Sequence, residues 1–177
     1  MDAHITINPK YEDWRGRLVP AVRLANGTEH MVPEPMRTGK MYLDEEFKLL
    51  WIMALLSGVF PQAQNALHVV RVLRRDKHQT VGYCCLGVAG AIHPNAQSQV
   101  ITTSIRNSHC RVELFFRTGA VVDPDLSQED LEELAGELPP ELAGEVGLTR
   151  EVQYYLAWLN DAGATFEEIA AVIDLYL

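Results

Sequence analysis

Two adjacent cysteines, Cys84 and Cys85, open the segment YCCLGVAGAI and are the first candidates for chemistry. The stretch TVGYCC predicts a short strand that leads into a helix beginning near Cys85. The amide groups and the dipole at a helix N-terminus lower the pKa of a thiol, which would make Cys85 a thiolate nucleophile. His109, at the start of a later strand, would then act as the base. Asn160 or Asp161 would orient the histidine, in a chain order that cysteine hydrolases use.

A structural role is the alternative reading of the same cysteines, and the sequence favours it. Free cysteine behaves as a small apolar side chain, and the small residues that follow would let the helix pack closely on a sheet. A zinc site made of Cys84, Cys85, His109 and Cys110 is disfavoured, because adjacent residues of a strand point to opposite faces. We therefore favour no catalytic residue, predict no metal ligand and expect no cofactor.

The clearest helix in the sequence lies in LDEEFKLLWIMALLSG. Asp44 is a good N-cap residue, and Gly58 suits the left-handed position after a helix end. Five apolar residues recur with helical spacing and predict one buried face: Phe47, Leu50, Trp51, Ala54 and Leu55. We expect a packing helix over residues 44–57.

Several segments around this helix have the pattern of strands. Asn26-Gly27 is a strong hairpin signal and predicts strands near 17–25 and 28–32. The β-branched and aromatic residues of LHVVRVLRR, QVITTSI and CRVELFFRT predict three more. Turn residues separate these segments, so we expect an antiparallel sheet.

The pattern changes to helices after Asp123. Ser127 with Asp130 and Thr165 with Glu168 have the spacing of capping boxes, and Thr149 is a further N-cap candidate. Pro139-Pro140 predicts a break between helices. The fold class is therefore α+β, with an antiparallel sheet, a packing helix and an acidic helical C-terminal cluster.

The length of 177 residues fits one domain. Within it we expect an extended arm or hairpin over 1–40, a helix-and-sheet core over 41–122 and an acidic helical region over 123–177. The start of the chain lacks the basic and apolar regions of a signal peptide, and no apolar run is long enough to span a bilayer. Three cysteines form no even disulfide framework, so we expect reduced thiols in a cytosol.

Charge is unevenly distributed along the chain. Residues 123–177 contain 14 acidic side chains and one basic side chain, Arg150, whereas residues 1–122 contain 10 acidic and 14 basic ones. Phosphates require cations, so the acidic helices are not expected to bind nucleic acid. Five carboxylates are the candidates for contact with a basic partner: Glu129, Asp130, Glu132, Glu133 and Glu137.

One basic cluster offers a different kind of site. Arg71, Arg74, Arg75 and Lys77 follow each other closely, and such a cluster is more often a solvated strand end than a binding site. A small-molecule site for a nucleotide signal would combine Arg74 with Trp51 and Gln62. These three residues are the ligand-binding candidates.

Three blocks resemble a widespread family of small uncharacterised bacteriophage proteins. These are FKLLWIMALLSGVFPQAQNAL, YCCLGVAGAI and GLTREVQYYLAWLNDAGATFEEIAAVIDLYL, near 47–67, 83–92 and 147–177. The family shares W-x-x-A-L-x-S-G-x-Y/F-x-Q, C-C-L-G-V and L-N-D-x-G-x-S/T-F-x-x-I-A patterns. Its loop usually reads Q-G-x-G, whereas this chain has Gln62-Ala63-Gln64-Asn65. If those glycines allow a ligand to approach closely, this chain has lost that ability.

The resemblance implies a phage or prophage origin and action in a bacterial cytoplasm, but it implies no reaction. The favoured function is therefore that of a non-enzymatic accessory protein that binds a host protein, such as a defence component, through its acidic face. Three alternatives stay open: a protein that sequesters a small molecule, a cysteine-dependent hydrolase or transferase, and a minor virion component. No membrane partner is expected, and self-association into a homo-oligomer stays open.

Overall fold

A computed structural model describes residues 5–24, 27–39, 43–64, 67–72, 79–105, 108–120 and 127–177. For residues 9–10, 68–72, 79–81, 101–105, 108–113, 128–129 and 132–133 it describes the backbone alone.

The first sheet contains three antiparallel strands in the order β1 (Thr6–Glu12), β2 (Leu18–Arg23) and β3 (Glu29–Met31). The predicted hairpin is confirmed, because β2 pairs with β3 and Ala21 lies opposite Met31. Gly27 has φ of 84°, a conformation that glycine adopts without strain. Strand β1 was not predicted, and its register shifts between Asn8 and Tyr11.

The second sheet contains four antiparallel strands in the order β5-β4-β7-β6. They are β4 (His68–Val72), β5 (Gln79–Tyr83), β6 (Ala96–Ile105) and β7 (Ser108–Arg117). All four coincide with predicted strand segments, and the long β6–β7 pair places Ile105 opposite Ser108. The isolated bridge between Gln62 and Tyr83 is parallel and attaches the loop after α2 to the edge strand β5.

Seven helices accompany the two sheets in the described part of the chain. They are α1 (Glu34–Thr38), α2 (Glu45–Leu56), α3 (Cys85–Ile92), α4 (Gln128–Gly136), α5 (Pro140–Val146), α6 (Arg150–Asp161) and α7 (Phe166–Tyr176). The predicted N-caps are confirmed: Asp44, Thr149 and Thr165 each accept a backbone hydrogen bond, and Glu168 completes a capping box. The fold is therefore α+β.

The two shortest helices, α1 and α5, were not predicted. The sequence interpretation treated Pro139-Pro140 only as a break, but Pro140 is the first residue of α5. Proline fits the first turn of a helix, because the amide hydrogen that it lacks would have no intrahelical partner there. A double proline therefore separates two helices by starting the second one.

Elements from the N-terminal, the middle and the C-terminal parts of the chain contribute to one apolar core. It includes residues from β2, α2, α3, α6 and α7: Val22, Trp51, Leu86, Leu156 and Ile169. Leu50, which was predicted on the buried face of α2, is instead half exposed, and Leu49, Met53 and Leu56 are exposed as well. Helix α2 is thus apolar on its outer face too. Within the described residues, no helix is long and apolar enough to cross a membrane.

Candidate functional site

Cys85 is buried in the core rather than exposed as a nucleophile. Its side chain is inaccessible to solvent, and Sγ donates a hydrogen bond to the Leu156 carbonyl oxygen at 3.4 Å. Burial raises the pKa of the Cys85 thiol well above its ordinary value, although the residue lies in the first turn of α3 as predicted. The favoured reading of Cys85 as a core residue is therefore confirmed, and the alternative of a thiolate is not supported, because desolvation outweighs the helix N-terminus.

The other members of the proposed catalytic set do not complete a site either. Cys84 is the N-cap residue of α3, and its Sγ accepts the Gly87 amide hydrogen at 3.4 Å. His109 and Cys110 lie on β7, opposite Ser104 and Thr103, but their side chains lie outside the described part of the structure. Among the described residues, no three His, Cys, Asp or Glu side chains converge as metal ligands.

Asn160 is fully buried and is the centre of a partly buried polar cluster. Its Nδ2 donates to the Ala63 carbonyl oxygen at 2.8 Å, and its Oδ1 accepts from Gln62 Nε2 at 3.0 Å. Gln62 Nε2 also donates to the Ala164 carbonyl oxygen at 2.7 Å. We call these four residues, Gln62, Ala63, Asn160 and Ala164, the amide cluster. They join the loop after α2 to the turn between α6 and α7, so the Asn160 amide cannot serve to orient a histidine.

Close backbone contacts hold the same loop against α3 and β5. The Leu67 carbonyl oxygen accepts the Cys84 amide hydrogen at 3.0 Å, and a Cβ on Gly87 would lie only 1.7 Å from that oxygen. A Cβ on Gly82 would lie 2.6 Å from the Cβ of Ala63. At position 63 the close approach is therefore to the chain's own strand β5.

The residues proposed to bind a small molecule are used inside the fold. Trp51 is fully buried, and its Nε1 donates to the Cys85 carbonyl oxygen at 2.9 Å. Gln62 is exposed overall, but its amide nitrogen belongs to the amide cluster. Arg74, like Arg75 and Lys77, lies outside the described residues. The proposed combination of Trp51 and Gln62 is therefore wrong, since neither offers its donor to a ligand.

An open groove lies between α4, α5 and α6 and has a volume of about 500 Å³. Its floor is apolar and includes Leu134, Leu138, Pro139, Pro140, Ala143 and Leu148. Asp130, Glu137 and Arg150 line its edge, and we call this cavity, with these nine residues, the acidic groove. The sequence analysis identified the carboxylates of the groove but not its apolar floor, although Leu134 directly follows Glu133, and Leu138 and the double proline directly follow Glu137.

The charges at the acidic groove are only partly neutralised within the chain. Glu137 accepts hydrogen bonds from Arg150 Nε at 3.0 Å and Nη2 at 3.3 Å. Hydrogen bonding to Glu137 also raises the pKa of the nearby Tyr154. Asp130 is exposed, and its hydrogen bonds from Ser127 lower its pKa, so it stays ionised at neutral pH.

The remaining candidate carboxylates add to this surface by their positions. Glu129, Glu132 and Glu133 lie on α4 with Asp130, although their side chains lie outside the described set. Glu141 is exposed in the first turn of α5. Arg150 is the single basic residue after position 122, so the surface around the groove is strongly negative.

These features define the class of protein. It is an α+β chain in which hydrogen bonds join α2 and its following loop, the cysteine pair at the start of α3, and the C-terminal helix pair α6 and α7. The chain belongs to the family described as a domain of unknown function, DUF8296, whose model matches residues 43–177. The match contains α2 to α7 and the second sheet, and β1, β2, β3 and α1 precede it. Neither a curated protein nor a solved structure matches the chain.

Proposed function

We propose that this protein is a phage or prophage accessory protein that acts in the host bacterial cytoplasm by binding a host protein, without catalysing a reaction. A host defence component is the favoured kind of target. The resemblance of three sequence blocks to small bacteriophage proteins supports the origin. The acidic groove is the observation that supports binding as the mode of action.

The shape and charge of the acidic groove suit a particular kind of partner segment. An apolar floor accepts an apolar anchor side chain, and such anchors contribute much of the free energy of protein association. Carboxylates at the edge, among them Asp130 and Glu137, would attract lysine or arginine residues that flank the anchor. The expected partner segment is therefore a leucine or another large apolar residue between basic residues.

The burial of the cysteine pair supports a non-enzymatic role. Cys85 is fully buried and its pKa is raised, and Asn160 has its amide in the amide cluster. These side chains contribute to packing and to hydrogen bonding of the core. The charged groups at the acidic groove are two carboxylates and one guanidinium, which suit recognition of a charged surface, and the Gln153 amide also lines it.

A substitution that fills the acidic groove tests this proposal. Gly144 lines the groove on α5, and a Cβ there would meet no heavy atom within 4 Å, so Gly144→Trp is expected to fill the groove without disturbing the fold. The matched control is Ala171→Trp, at an exposed position of α7 that does not line the groove. The probe is a fluorescent peptide with one leucine between lysines, and the measurement is fluorescence anisotropy at low and high salt.

We expect Gly144→Trp to abolish saturable binding of the peptide and Ala171→Trp to leave it unchanged. Affinity should fall as salt rises, since exposed charges are screened over about 10 Å at 0.1 M salt. A host protein captured by the wild type should then be identified, purified and measured against the same two variants. Equal binding by both variants, or binding that does not depend on salt, would contradict the proposed surface.

A further inference from the structure

The turn between β1 and β2 carries the most exposed large apolar side chain in the described part of the chain. Trp14 is 82% exposed, and Leu18, at the start of β2, is 67% exposed. Arg15 and Arg17 lie between them in the sequence and are exposed as well. We call residues 13–18 the hairpin tip. The tip precedes the family match, and the proposed function does not use it.

Asp13 gives the hairpin tip a fixed shape. Its Oδ1 accepts the amide hydrogens of Arg15 and Arg17, each at 2.9 Å, and its Oδ2 accepts from Arg17 Nε at 2.9 Å. Gly16 completes the turn with φ of 70°, a conformation that glycine adopts without strain. The Asp13 side chain is 1% exposed, so its carboxylate serves the turn itself. The tip is therefore pre-organised, and a pre-organised segment loses less conformational entropy when it binds.

The exposed charges of the hairpin tip are mainly positive. The Arg15 guanidinium lies over the Trp14 ring, 4.3 Å from its centroid. The Arg17 side chain is 59% exposed, although it pairs with Asp13. Glu12, one residue before the tip, is exposed too and adds one carboxylate at its base. The tip thus presents a large apolar side chain beside two guanidinium groups.

The acidic groove has the complementary set of groups. Asp130 and Glu137 contribute two carboxylates at its edge, and Arg150 contributes one guanidinium. Leu134 is partly buried and Pro140 is exposed, so both offer apolar surface to an incoming side chain. The groove volume of about 500 Å³ is within the range of about 300–1,000 Å³ that is typical of ligand pockets. The hairpin tip therefore has the features expected of a partner segment for this groove.

We propose that the hairpin tip of one copy of this chain docks in the acidic groove of a second copy. The Trp14 ring packs on the apolar floor, and Arg15 and Arg17 face the carboxylates at the edge. Because Trp14 is 82% exposed in the single chain, the tip does not occupy the groove of its own copy. The contact is heterologous, so association continues from copy to copy unless a ring closes.

A second copy and the host segment would compete for the same surface. This inference therefore rests on the acidic groove of the proposed function and adds one specific occupant to it. The groove would be covered at high protein concentration and open at low concentration. Charge complementarity between exposed groups makes the self-association dependent on salt.

Sedimentation equilibrium of the full chain at low salt measures the self-association. The tip is smaller than the roughly 20–30 residues that each side of a standard interface contributes, so we expect a dissociation constant on the order of 10–100 µM. Trp14→Ala removes the anchor and should weaken association about 30-fold or more, whereas Gly144→Trp fills the groove and should abolish it. Met53→Ala is the matched control, because it truncates another exposed apolar side chain, on the outer face of α2. It should leave the association unchanged.

A mixture of the two defective variants tests the direction of the contact. Trp14→Ala retains the acidic groove, and Gly144→Trp retains the hairpin tip. Each variant alone should be mainly monomeric at about 100 µM, but the mixture should form a 1:1 complex that does not grow further. An isologous contact, in which both copies use the same surface, could not be restored in this way.

Three results would overturn the proposal: a wild-type chain that stays monomeric up to about 1 mM at low salt, equal weakening by Trp14→Ala and Met53→Ala, or a mixture of the defective variants that forms no complex. Equal weakening would assign the association to the outer face of α2 instead. Self-association that does not weaken at high salt would contradict the role of the charges at the tip and the groove.

The lysine-flanked leucine peptide separates this proposal from the proposed function. Trp14→Ala leaves the groove open, so it should bind the peptide at least as tightly as the wild type does. A chain that stays monomeric but binds the peptide would contradict self-association alone. A chain that associates through Trp14 and the groove but does not bind the peptide would contradict the proposed host segment alone.

Discussion

Helix α6 contributes to two polar regions that differ in burial and in charge. Near its C-terminal end, Asn160 is fully buried, and its amide donates and accepts hydrogen bonds within the amide cluster. At its N-terminal end, Arg150 pairs with Glu137 at the edge of the acidic groove, and the Arg150 side chain is 59% exposed. One helix thus carries an uncharged polar interior at one end and a charged open surface at the other.

This difference in burial separates the polar groups that stabilise the fold from the polar groups that a partner can contact. A buried donor or acceptor that loses its partner costs about 1–3 kcal/mol, whereas an exposed ion pair contributes about 0–1 kcal/mol. Substitutions at the amide cluster and at the loop that it holds should therefore act on stability. Substitutions at the acidic groove should act on binding and leave stability nearly unchanged.

Gly87→Ala is the substitution with the largest expected effect on the buried side of this comparison. The added Cβ would lie 1.7 Å from the Leu67 carbonyl oxygen, a backbone atom that also accepts a hydrogen bond from Cys84. The backbone must shift and that hydrogen bond must break. We expect a loss of about 4 kcal/mol or more in the free energy of unfolding, or no folded protein. Chemical denaturation measures it.

Gly144→Ala is the control for Gly87→Ala on the exposed side. Its Cβ would meet no heavy atom within 4 Å, and the residue lies within α5. The same substitution should therefore stabilise the protein by about 0.5–1 kcal/mol, because alanine favours the helix. If the two alanine variants had similar stabilities, the close contact between α3 and the loop at Leu67 would be wrong.

Asn160→Ala should have the next largest effect. It leaves the Ala63 carbonyl oxygen without the Asn160 donor and removes one of the two acceptors of Gln62 Nε2. We expect the free energy of unfolding to fall by about 3 kcal/mol. Gln64→Ala is the control, since Gln64 is exposed and its hydrogen bond to the Asn160 carbonyl oxygen is long, at 3.4 Å. If Gln64→Ala lowered the free energy of unfolding as much as Asn160→Ala, burial of the hydrogen bond would not be what determines the loss of stability.

Cys85→Ala should lower stability by about 1–2 kcal/mol through lost packing and a lost hydrogen bond. Because burial raises the pKa of Cys85, the unfolded chain loses this proton first, near pH 8.5. The contribution of the Cys85 proton to the advantage of the wild type is therefore complete below about pH 8.5 and shrinks above it, while the hydrogen bond from Cys85 that lowers the pKa of Cys84 acts in the opposite direction. Denaturation of both proteins from pH 7 to about pH 10 measures this difference.

Iodoacetamide labelling of the native protein gives a second test of the buried cysteines. Cys84 and Cys85 are both buried, so they should react only as the protein unfolds. Rapid labelling of Cys85 near pH 6.5 in the native state, mapped by mass spectrometry, would instead indicate an accessible thiolate. That result would favour the alternative function of a cysteine-dependent hydrolase or transferase.

Local signals in the sequence predicted most of the elements correctly. The caps at Asp44, Thr149 and Thr165 and the hairpin at Gly27 depend on neighbouring residues, and the structure has all of them. The strand that leads into a helix at Cys85 was predicted for the same reason. Each of these features is decided within a few residues of the chain.

Features that depend on distant residues could not be predicted in this way. Gln62 and Asn160 are 98 positions apart, and no local pattern indicates that their amides meet. The favoured reading of Cys85 as a core residue is confirmed by its burial, whereas the thiolate alternative came from a local signal, the helix N-terminus, which burial outweighs. The carboxylates of the acidic groove were visible in the composition, but its apolar floor arises only when α4, α5 and α6 pack together.

Arg150→Gln should have the smallest effect on stability and should change binding in the opposite direction from every substitution that fills or neutralises the groove. The variant removes an ion pair in which the Arg150 side chain is 59% exposed and the Glu137 side chain 16% exposed, which costs about 1 kcal/mol. It also frees the Glu137 carboxylate at the edge of the acidic groove. The groove then becomes more negative, so the lysine-flanked leucine peptide should bind about three- to fivefold more tightly at low salt. This gain should disappear at high salt, since the added attraction is between exposed charges.

Glu137→Gln is the matched control for Arg150→Gln, because it breaks the same ion pair from the other side. It should have a similarly small effect on stability but should weaken peptide binding. Fluorescence anisotropy and chemical denaturation of the two variants provide both quantities. If both variants weakened binding equally, the ion pair itself would position the groove, and the charge of Glu137 would not be what attracts the partner. Opposite changes in affinity at nearly equal stability would instead assign this end of α6 to recognition, in contrast to the buried amide of Asn160 at its other end.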